Sequence, residues 1–196
     1  MRRNAIKAKM LRGETTTNGW CAFGSPYSAE LLGHAGFDSV TVDLQHGMFD
    51  FAQAVPMLQA LSATPAVPVV RVPWNDTAVI MHLLDAGAYG VICPMINNRK
   101  EAERLVAACR YAPTGMRSYG PARGLLYGGP DYFDHANDEI VVFAQCHAGE
   151  HAPPGLAQTA HGPSVAAAEA QAGQPAHALA HGVGHGQGRQ GRQHRP

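Results

Sequence analysis

The sequence predicts an α/β protein in which short strands and amphipathic helices alternate over the first 145 residues. Two observations support this fold class. Runs rich in β-branched residues recur, such as Val67-Pro68-Val69-Val70-Arg71-Val72, and segments with apolar residues at helical spacing separate them. Strands that alternate with helices form parallel sheets. Five such strands fit either a doubly wound sheet or part of a (β/α)8 barrel, which typically needs about 250 residues.

The first predicted elements have recognisable start and stop signals. Asn4 is a candidate N-cap for a helix that ends at Gly13. Trp20 to Gly24 is the first predicted strand, and Ser25-Pro26 then begins a helix that stops at Gly36, with serine as N-cap and proline in the first turn. The second strand covers 39–43, and a helix follows over 50–61.

The remaining elements of the body follow from apolar periodicity. The third strand is 67–72, and the helix over 76–87 places Val79, Ile80, Leu83 and Leu84 on one side. Strand 89–93 precedes a helix over 99–109. Glycine and proline in 111–130 predict a long loop, followed by a short helix over 131–137 and a fifth strand over 140–144.

The last 51 residues, 146–196, have a different composition. They contain 12 Ala, 9 Gly and 7 of the 11 His of the chain, and no Trp, Tyr, Phe, Ile, Met, Asp, Asn or Lys. So few large apolar residues do not offset the entropy of ordering the segment. We therefore divide the chain into a body, 1–145, and an Ala/Gly/His/Gln/Pro-rich tail, 146–196, that we expect to be disordered.

The tail composition suggests how it arose. Ala, Gly, Pro, Arg, His and Gln are the residues that a GC-rich coding sequence yields when it is translated out of register, so we hypothesise a frameshift just after Gln145. The alternative is a selected metal-binding role for the histidines. The spacing of His177, His181 and His185 would suit a helix, but Gly182 and Gly184 disfavour one there.

Charge and cysteine usage exclude several classes of protein. Fifteen basic and fifteen acidic residues give a net charge of zero, which argues against nucleic-acid binding. No apolar run is long enough for a membrane span, and the basic first nine residues lack the apolar stretch of a secretory signal. The four cysteines have no paired spacing, so we expect reduced thiols in a cytoplasmic protein.

Polar residues close three of the predicted strands. Asp43 and His46 follow the second strand, Arg71 lies at the end of the third, and Gln145 follows the fifth. Because reactive side chains lie at the carboxyl ends of parallel strands, we expect these residues to face a common site. Asp43 could equally be a turn former and His46 an ordinary loop histidine.

Arg71 and Asp85 need partners in such apolar surroundings. The Arg71 guanidinium requires an anion, either a structural carboxylate or that of a substrate. Asp85 lies beside Leu83 and Leu84, where it could pair with a histidine or cap a neighbouring element. An imidazole that exchanges protons near neutral pH, a fixed cation and a supporting carboxylate suit proton abstraction beside a carbonyl.

Residues 4–145 resemble the HpcH/HpaI aldolase family, the class II metal-dependent aldolases that use pyruvate or a related 2-oxo acid. The motifs that carry the resemblance are Ala35-Gly36-Phe37-Asp38, Asp43-Leu44-Gln45-His46-Gly47, Pro68-Val69-Val70-Arg71-Val72-Pro73-Trp74, Leu83-Leu84-Asp85-Ala86-Gly87-Ala88, Pro94-Met95 and Arg110-Tyr111-Ala112-Pro113-Thr114-Gly115-Met116-Arg117. They occur in the order and at the spacings of the family.

The resemblance implies a (β/α)8 TIM barrel that cleaves a 4-hydroxy-2-oxo acid into pyruvate and an aldehyde. On this pattern His46 is the catalytic base, Arg71 holds the pyruvate end and stabilises the enolate, and Asp85 increases the basicity of His46. Gln145 contacts substrate, and Asp43 supports the site. The resemblance further implies a divalent Mg, Mn or Co ion as Lewis acid and assembly into homo-oligomers.

The resemblance does not extend to the metal ligands of the family. The family pattern places a Glu two residues after the strand-five glutamine and an Asp in a later Gly-Pro-Ala-Asp-type turn, but here Gln145 is followed by Cys146 and His147, and no Asp follows Asp138. Hard cations need carboxylate oxygens. We therefore expect no metal ligands, a barrel truncated after five βα units and impaired cleavage. The alternative is an inactive fragment or a non-catalytic protein that binds anions or metal.

Overall fold

The computed structural model describes residues 1–146 and 164–167. The strands are β1 (Asn18–Cys21), β2 (Ser39–Asp43), β3 (Val67–Arg71), β4 (Gly90–Cys93), β5 (Val141–Cys146) and β6 (Ser164–Ala167). The helices are α1 (Ala5–Leu11), α2 (Pro26–His34), α3 (Phe51–Ser62), α4 (Thr77–Asp85), α5 (Arg99–Cys109), α6 (Ala122–Gly128) and α7 (Tyr132–Glu139). The alternation that the sequence predicts over the body is confirmed.

The order of the strands decides between the two architectures that the sequence leaves open. Strands β1 to β5 are parallel and lie side by side in chain order. A doubly wound sheet reverses its strand order at a switch point, whereas a (β/α)8 barrel adds each strand next to the previous one. The described body therefore has the arrangement of the first five strands of a barrel.

The strand register places the polar residues of the sheet on one face, which we call the inner face. Asp43 pairs with Arg71, and Trp20 pairs with Thr41 two residues before Asp43. Paired residues of parallel strands project to the same side, and so do residues two apart in one strand. The side chain of Asn18 confirms this, since it accepts hydrogen bonds from Ser39 and Thr41 on the neighbouring strand.

The helices supply the rest of the core, on the opposite side of the sheet. The alternate strand positions are apolar and almost fully buried, as in Val40, Val42, Val70 and Val91. Side chains on one side of each helix are buried with them, among them Leu58, Leu61, Leu83, Leu84 and Leu105. Strands that are buried on both sides are typical of parallel sheets with helical cover.

Helix α1 and the residues before it close the amino end of the sheet. Asn4 caps α1 and also donates hydrogen bonds from its side chain to the backbone oxygens of Tyr89 and Glu139. Arg2 donates to the backbone oxygens of Ser62 and Thr64, just after α3. These contacts fix one end of the sheet and leave the carboxyl ends of its strands for a site.

One sequence-based prediction is wrong in detail. The glycine- and proline-rich stretch predicted as loop over 111–130 contains helix α6, which begins after Pro121. A Cβ on Gly124 would lie 3.1 Å from the Tyr132 ring, and one on Gly128 only 2.5 Å from it. The glycines therefore allow α6 to pack closely against α7 rather than marking irregular backbone, which local sequence does not reveal.

Strand β6 is the only part of the tail beyond Cys146 that the structure describes. It pairs with β5 in antiparallel orientation, with Gln145 opposite Val165. The composition predicts no strand at these four residues. The outer edge of β5 offers unpaired backbone groups that a strand can satisfy. A sixth barrel strand would be parallel, so β6 does not continue the barrel pattern.

The other tail residues, including all seven histidines, lie outside the described residues.

None of the described helices combines the length and apolar character needed to cross a membrane.

Candidate functional site

Asp43, at the carboxyl end of β2, is the centre of a hydrogen-bonded cluster. Its Oδ1 accepts from Arg71 Nε at 2.9 Å, and its Oδ2 accepts from Arg71 Nη2 at 2.6 Å. Trp20 Nε1 donates to Oδ2 at 3.1 Å, and the backbone N–H groups of Gln45 and His46 donate to Oδ1 at 3.0 and 3.3 Å. Asp43 therefore forms the turn after β2 and is also a structural carboxylate partner of Arg71, two roles that the sequence leaves open.

These donors determine the ionisation of Asp43. The side chain is 2% exposed, and burial alone would raise its pKa. The hydrogen bonds from Arg71 and Trp20, together with that from the His46 backbone, outweigh burial and hold the pKa below its ordinary value. The carboxylate is thus charged at neutral pH and offsets the charge of Arg71.

The pairing with Asp43 leaves one edge of Arg71 available. A guanidinium carries five N–H donors, and the side-on pair uses one on Nε and one on Nη2. Nη1 donates to no residue that the structure describes, so the Nη1–Nη2 edge retains three N–H groups. Two of these N–H groups, one on each nitrogen, have the spacing to donate to the two oxygens of a second carboxylate.

His46 lies in the turn that Asp43 organises. The backbone N–H of Gly47 donates to the Asp43 carbonyl at 3.1 Å, which closes the turn and leaves the imidazole exposed to solvent. The imidazole makes no hydrogen bond with any described residue. The sequence-based assignment of His46 as a base stays a prediction, and its solvent access is compatible with proton exchange.

Gly47 provides a direct test of this turn. A Cβ at this position would lie 2.1 Å from the Asp43 carbonyl oxygen and 2.5 Å from the Phe49 ring. We expect Gly47→Ala to lower the free energy of unfolding by about 1–3 kcal/mol, because the backbone must move. Urea denaturation measures this. Gly120→Ala is the control, since its nearest neighbour would be Asp85 Oδ2 at 3.6 Å. Equal losses in both variants would contradict the steric argument.

Gln145 approaches the same end of the sheet from β5. Arg71 pairs with Ile92, and Ile92 pairs with Phe143. Gln145, two residues further along β5, therefore projects from the inner face about 12 Å from Arg71, judged by the spacing of strands and the rise per residue. Gln145 is 5% exposed, and its Oε1 accepts no hydrogen bond from any residue that the structure describes. A buried amide oxygen without a partner is suited to a ligand that donates a hydrogen bond.

Asp85 lies elsewhere. It is the last residue of α4, which starts near the carboxyl end of β3 and runs to the amino end of β4. Within one chain this places Asp85 at the opposite end of the sheet from His46. Its carboxylate accepts from Arg117 Nη2 at 2.9 Å, so its partner is an arginine rather than the histidine or helix end that the sequence suggests.

Arg117 connects Asp85 to an aromatic cluster. Its side chain is fully buried and lies over the rings of Tyr111 and Tyr132, at 4.5 and 5.5 Å from their centroids. Nη1 also donates to the Tyr132 hydroxyl at 3.1 Å. Burial lowers the pKa of Arg117, but the Tyr132, Asp85 and Tyr111 interactions outweigh it and the pKa is raised. This cluster holds the segment after α5 against α4 and α7.

The described residues do not fit a hard divalent cation. No three His, Cys, Asp or Glu side chains among them lie close enough together to hold a metal ion. Both oxygens of Asp43 are already occupied by N–H donors. Position 147, where the family pattern has a Glu, lies outside the described residues, so the absence of ligands there stays a prediction from the sequence.

The cysteines do not supply a reactive thiolate. All four are free, and Cys21, Cys93 and Cys109 are buried. Burial raises the pKa of Cys93 and of Cys109 to about 12, and it raises the pKa of Cys21 and Cys146 as well. These thiols are protonated at neutral pH, which disfavours nucleophilic chemistry.

Sequence reasoning missed two residues of these clusters. Trp20 donates to Asp43 and stacks on Arg71, with 4.7 Å between the guanidinium carbon and the ring centroid. Arg117 is the partner of Asp85. Strand alternation could have placed Trp20 on the face of Asp43. No local pattern brings Arg117 to Asp85, because 32 residues separate them.

Comparisons with known proteins agree with this fold. The chain matches the profile of the family described as HpcH/HpaI aldolase/citrate lyase over residues 18–150. It is 40% identical over 147 residues to a hydroxypyruvate/pyruvate aldolase of Rhizorhabdus wittichii and 39% identical over 151 residues to a 4-hydroxy-2-oxo-heptane-1,7-dioate aldolase of Salmonella dublin. These alignments cover 75% and 76% of this chain.

A solved structure shows the same relationship. An HpcH/HpaI aldolase/citrate lyase family protein from Burkholderia cenocepacia superposes with a TM-score of 0.66 and 31% sequence identity, over 72% of this chain and 58% of that protein. The chain spans 59% and 57% of the two aldolases as well. It thus matches somewhat more than half of its relatives' length. On the profile match, the identities and the strand order, the chain belongs to the HpcH/HpaI aldolase/citrate lyase family.

Proposed function

We propose that this chain derives from an aldolase that cleaves a 4-hydroxy-2-oxo acid into pyruvate and an aldehyde, and that it retains the carboxylate site of that enzyme while being impaired in cleavage. The observation that carries the proposal is the geometry of Arg71. A guanidinium paired on one edge with Asp43 presents its other edge at the carboxyl ends of the strands. The names of the relatives support the reaction class, since both are aldolases.

The residues of the chain would divide the reaction as follows. Arg71 holds the carboxylate of the 2-oxo acid and stabilises the negative charge that develops on the 2-oxo oxygen. His46 takes the proton of the 4-hydroxyl group, the C3–C4 bond breaks, and the electron pair moves into the enolate of pyruvate while the aldehyde leaves. The proton taken up by His46 then passes to C3 of the enolate, which gives pyruvate and restores the neutral imidazole. Gln145 Oε1 accepts a hydrogen bond from the substrate.

Asp85 does not enter this scheme. In a single chain it pairs with Arg117 at the opposite end of the sheet. The proposed impairment rests on the lack of suitable metal ligands. The described residues do not fit a divalent cation. In the sequence, Cys146 and His147 follow Gln145, and no Asp occurs beyond Asp138.

Calorimetric titration with pyruvate and with oxalate, a planar dicarboxylate that resembles the pyruvate enolate, tests the carboxylate site. We expect binding by the full chain and at least about tenfold weaker binding by Arg71→Lys, because an ammonium cannot make two bidentate contacts. Arg99→Lys is the control, since Arg99 lies on the surface in an ion pair with Glu103. Unchanged binding by Arg71→Lys would refute the assignment.

Cleavage is measured separately. With a 4-hydroxy-2-oxo acid and added Mn²⁺ or Mg²⁺, we expect no pyruvate release above background, and sustained turnover would disprove the impairment. A chain that binds neither pyruvate nor oxalate but binds Ni²⁺ or Zn²⁺ would support the non-catalytic metal-binding alternative.

We also propose that 146–196 results from a frameshift, which the coding DNA decides. Translation of one of the other two frames after Gln145 should give a Glu near its start and a later Gly-Pro-Ala-Asp-like turn. If neither frame does, the frameshift proposal is wrong.

A further inference from the structure

Trp20 has contacts that packing alone does not explain. It lies in β1, and its indole is 45% exposed, so it is not a core residue. Nevertheless its Nε1–H donates to the buried Asp43 carboxylate, and its ring lies against the Arg71 guanidinium. The N–H of the indole thus contacts one member of the ion pair, and the ring contacts the other. These contacts place Trp20 to orient the pair.

The two carboxylate oxygens of Asp43 accept hydrogen bonds from different donors. Oδ1 accepts from Arg71 Nε and from two backbone N–H groups of the following turn. Oδ2 accepts from Arg71 Nη2 and from Trp20. Among the described residues, Trp20 is thus the only donor besides Arg71 that fixes Oδ2. Without it the carboxylate can twist about its Cβ–Cγ bond, and the side-on pair turns with it.

The ring of Trp20 acts on the guanidinium itself. Arg71 donates to Asp43 along one edge of its guanidinium group. These hydrogen bonds do not prevent the guanidinium plane from rotating about that edge. A guanidinium stacked on an indole is held flat by the cation–π attraction. The two contacts of Trp20 therefore restrain two different motions of the same ion pair.

We propose that Trp20 is a positioning residue that sets the orientation of the free Nη1–Nη2 edge of Arg71 for a carboxylate ligand. This inference rests on the proposed function, because that function makes the free edge the ligand-binding surface. Trp20 acts only through Asp43 and Arg71 and is not itself a catalytic residue.

Titration of the full chain and three variants with oxalate tests the proposal. Trp20→Phe keeps a ring but removes the N–H, and we expect about threefold weaker binding; Trp20→Leu removes both contacts, and we expect about tenfold weaker binding. Trp74→Phe is the matched control, since Trp74 is an exposed indole after β3, and its binding should equal that of the unmodified chain. Unchanged oxalate binding by Trp20→Leu would overturn the proposal.

A second measurement needs no ligand and separates this proposal from the function itself. The rate at which the Arg71 Nε–H proton exchanges with water, followed by NMR, should rise about tenfold in Trp20→Leu and less in Trp20→Phe, because the pair with Asp43 opens more often. If the unmodified chain does not bind oxalate, the proposed function fails, and the exchange rate still decides the role of Trp20. An unchanged rate in both variants would overturn it, and Trp20→Phe carries the test if Trp20→Leu does not fold.

Discussion

Replacement of Asp43 by alanine is expected to lower the free energy of unfolding by about 3–5 kcal/mol. The substitution removes the partner of Arg71, whose side chain is only 12% exposed, and leaves two backbone N–H groups without their acceptor. Urea denaturation followed by circular dichroism measures the loss. Asp134→Ala, at an exposed aspartate of α7, is the control and should change stability by less than about 0.5 kcal/mol.

The double variant Asp43→Leu/Arg71→Met shows whether an unpaired charge causes the loss. Because removal of both charges leaves no buried ion behind, the double variant should be more stable than Asp43→Ala. A double variant at least as unstable as the single one would show that the loss comes from packing or from the turn instead.

The same carboxylate gives a pH dependence of known sign. The pKa of Asp43 in the folded protein lies below its ordinary value of about 3.9. The stabilisation that Asp43 contributes is therefore fully present above that ordinary value and is lost as the pH falls through it toward the lower folded pKa. Asp43→Asn should lack this part of the acid sensitivity, so the difference in stability from the unmodified chain should shrink as the pH falls below about 4.

Replacement of Arg117 by alanine is the second substitution with a large expected effect, about 3–4 kcal/mol. It removes a fully buried side chain that contacts two tyrosine rings, the Tyr132 hydroxyl and Asp85. Thermal or urea unfolding measures the loss. Arg99→Ala is the matched control, because Arg99 is 91% exposed and its ion pair with Glu103 should contribute at most about 0.5 kcal/mol.

Asp85→Ala extends this test to function. If Asp85 supports only Arg117, its replacement should destabilise the chain and leave oxalate binding by the folded protein unchanged. A change in oxalate affinity without a change in stability would instead connect Asp85 to the binding site. A stable Arg117→Ala variant would contradict the structural role assigned to both residues.

Much of the fold follows from local sequence, and the exceptions have a common cause. Caps such as Asn4 and Ser25 mark helix starts that the structure confirms, because a cap is a local hydrogen bond. Helix α6 was missed because Gly124 and Gly128 serve contacts with Tyr132 rather than turns. Strand β1 begins two residues and ends three residues earlier than the sequence predicts, because its bounds depend on pairing with β2.

The sequence identifies Asp43, Arg71 and Gln145 as strand-closing polar residues, but it reveals neither the pairing of Asp43 with Arg71 nor the contact of Trp20 with both. Asp43, Arg71 and Gln145 close strands, and chain order alone brings their carboxyl ends to one edge of a parallel sheet. The sequence leaves open whether the partner of Arg71 is a structural carboxylate or that of a ligand. The register between β2 and β3 brings Asp43 to Arg71, although 28 residues separate the two in sequence. The same register places Trp20 beneath the pair.

The sequence by itself determined the alternating α/β pattern, the family resemblance and the change of composition after Gln145, because each is a property of residues in order along the chain. Only the tertiary structure decided between the two sheet architectures and paired Asp43 with Arg71 and Asp85 with Arg117. Strand order and ion pairs join residues that are distant in sequence. Burial makes such pairing obligatory, since an unpaired charge inside the protein costs several kcal/mol, but which partner satisfies it depends on the packing of the whole sheet.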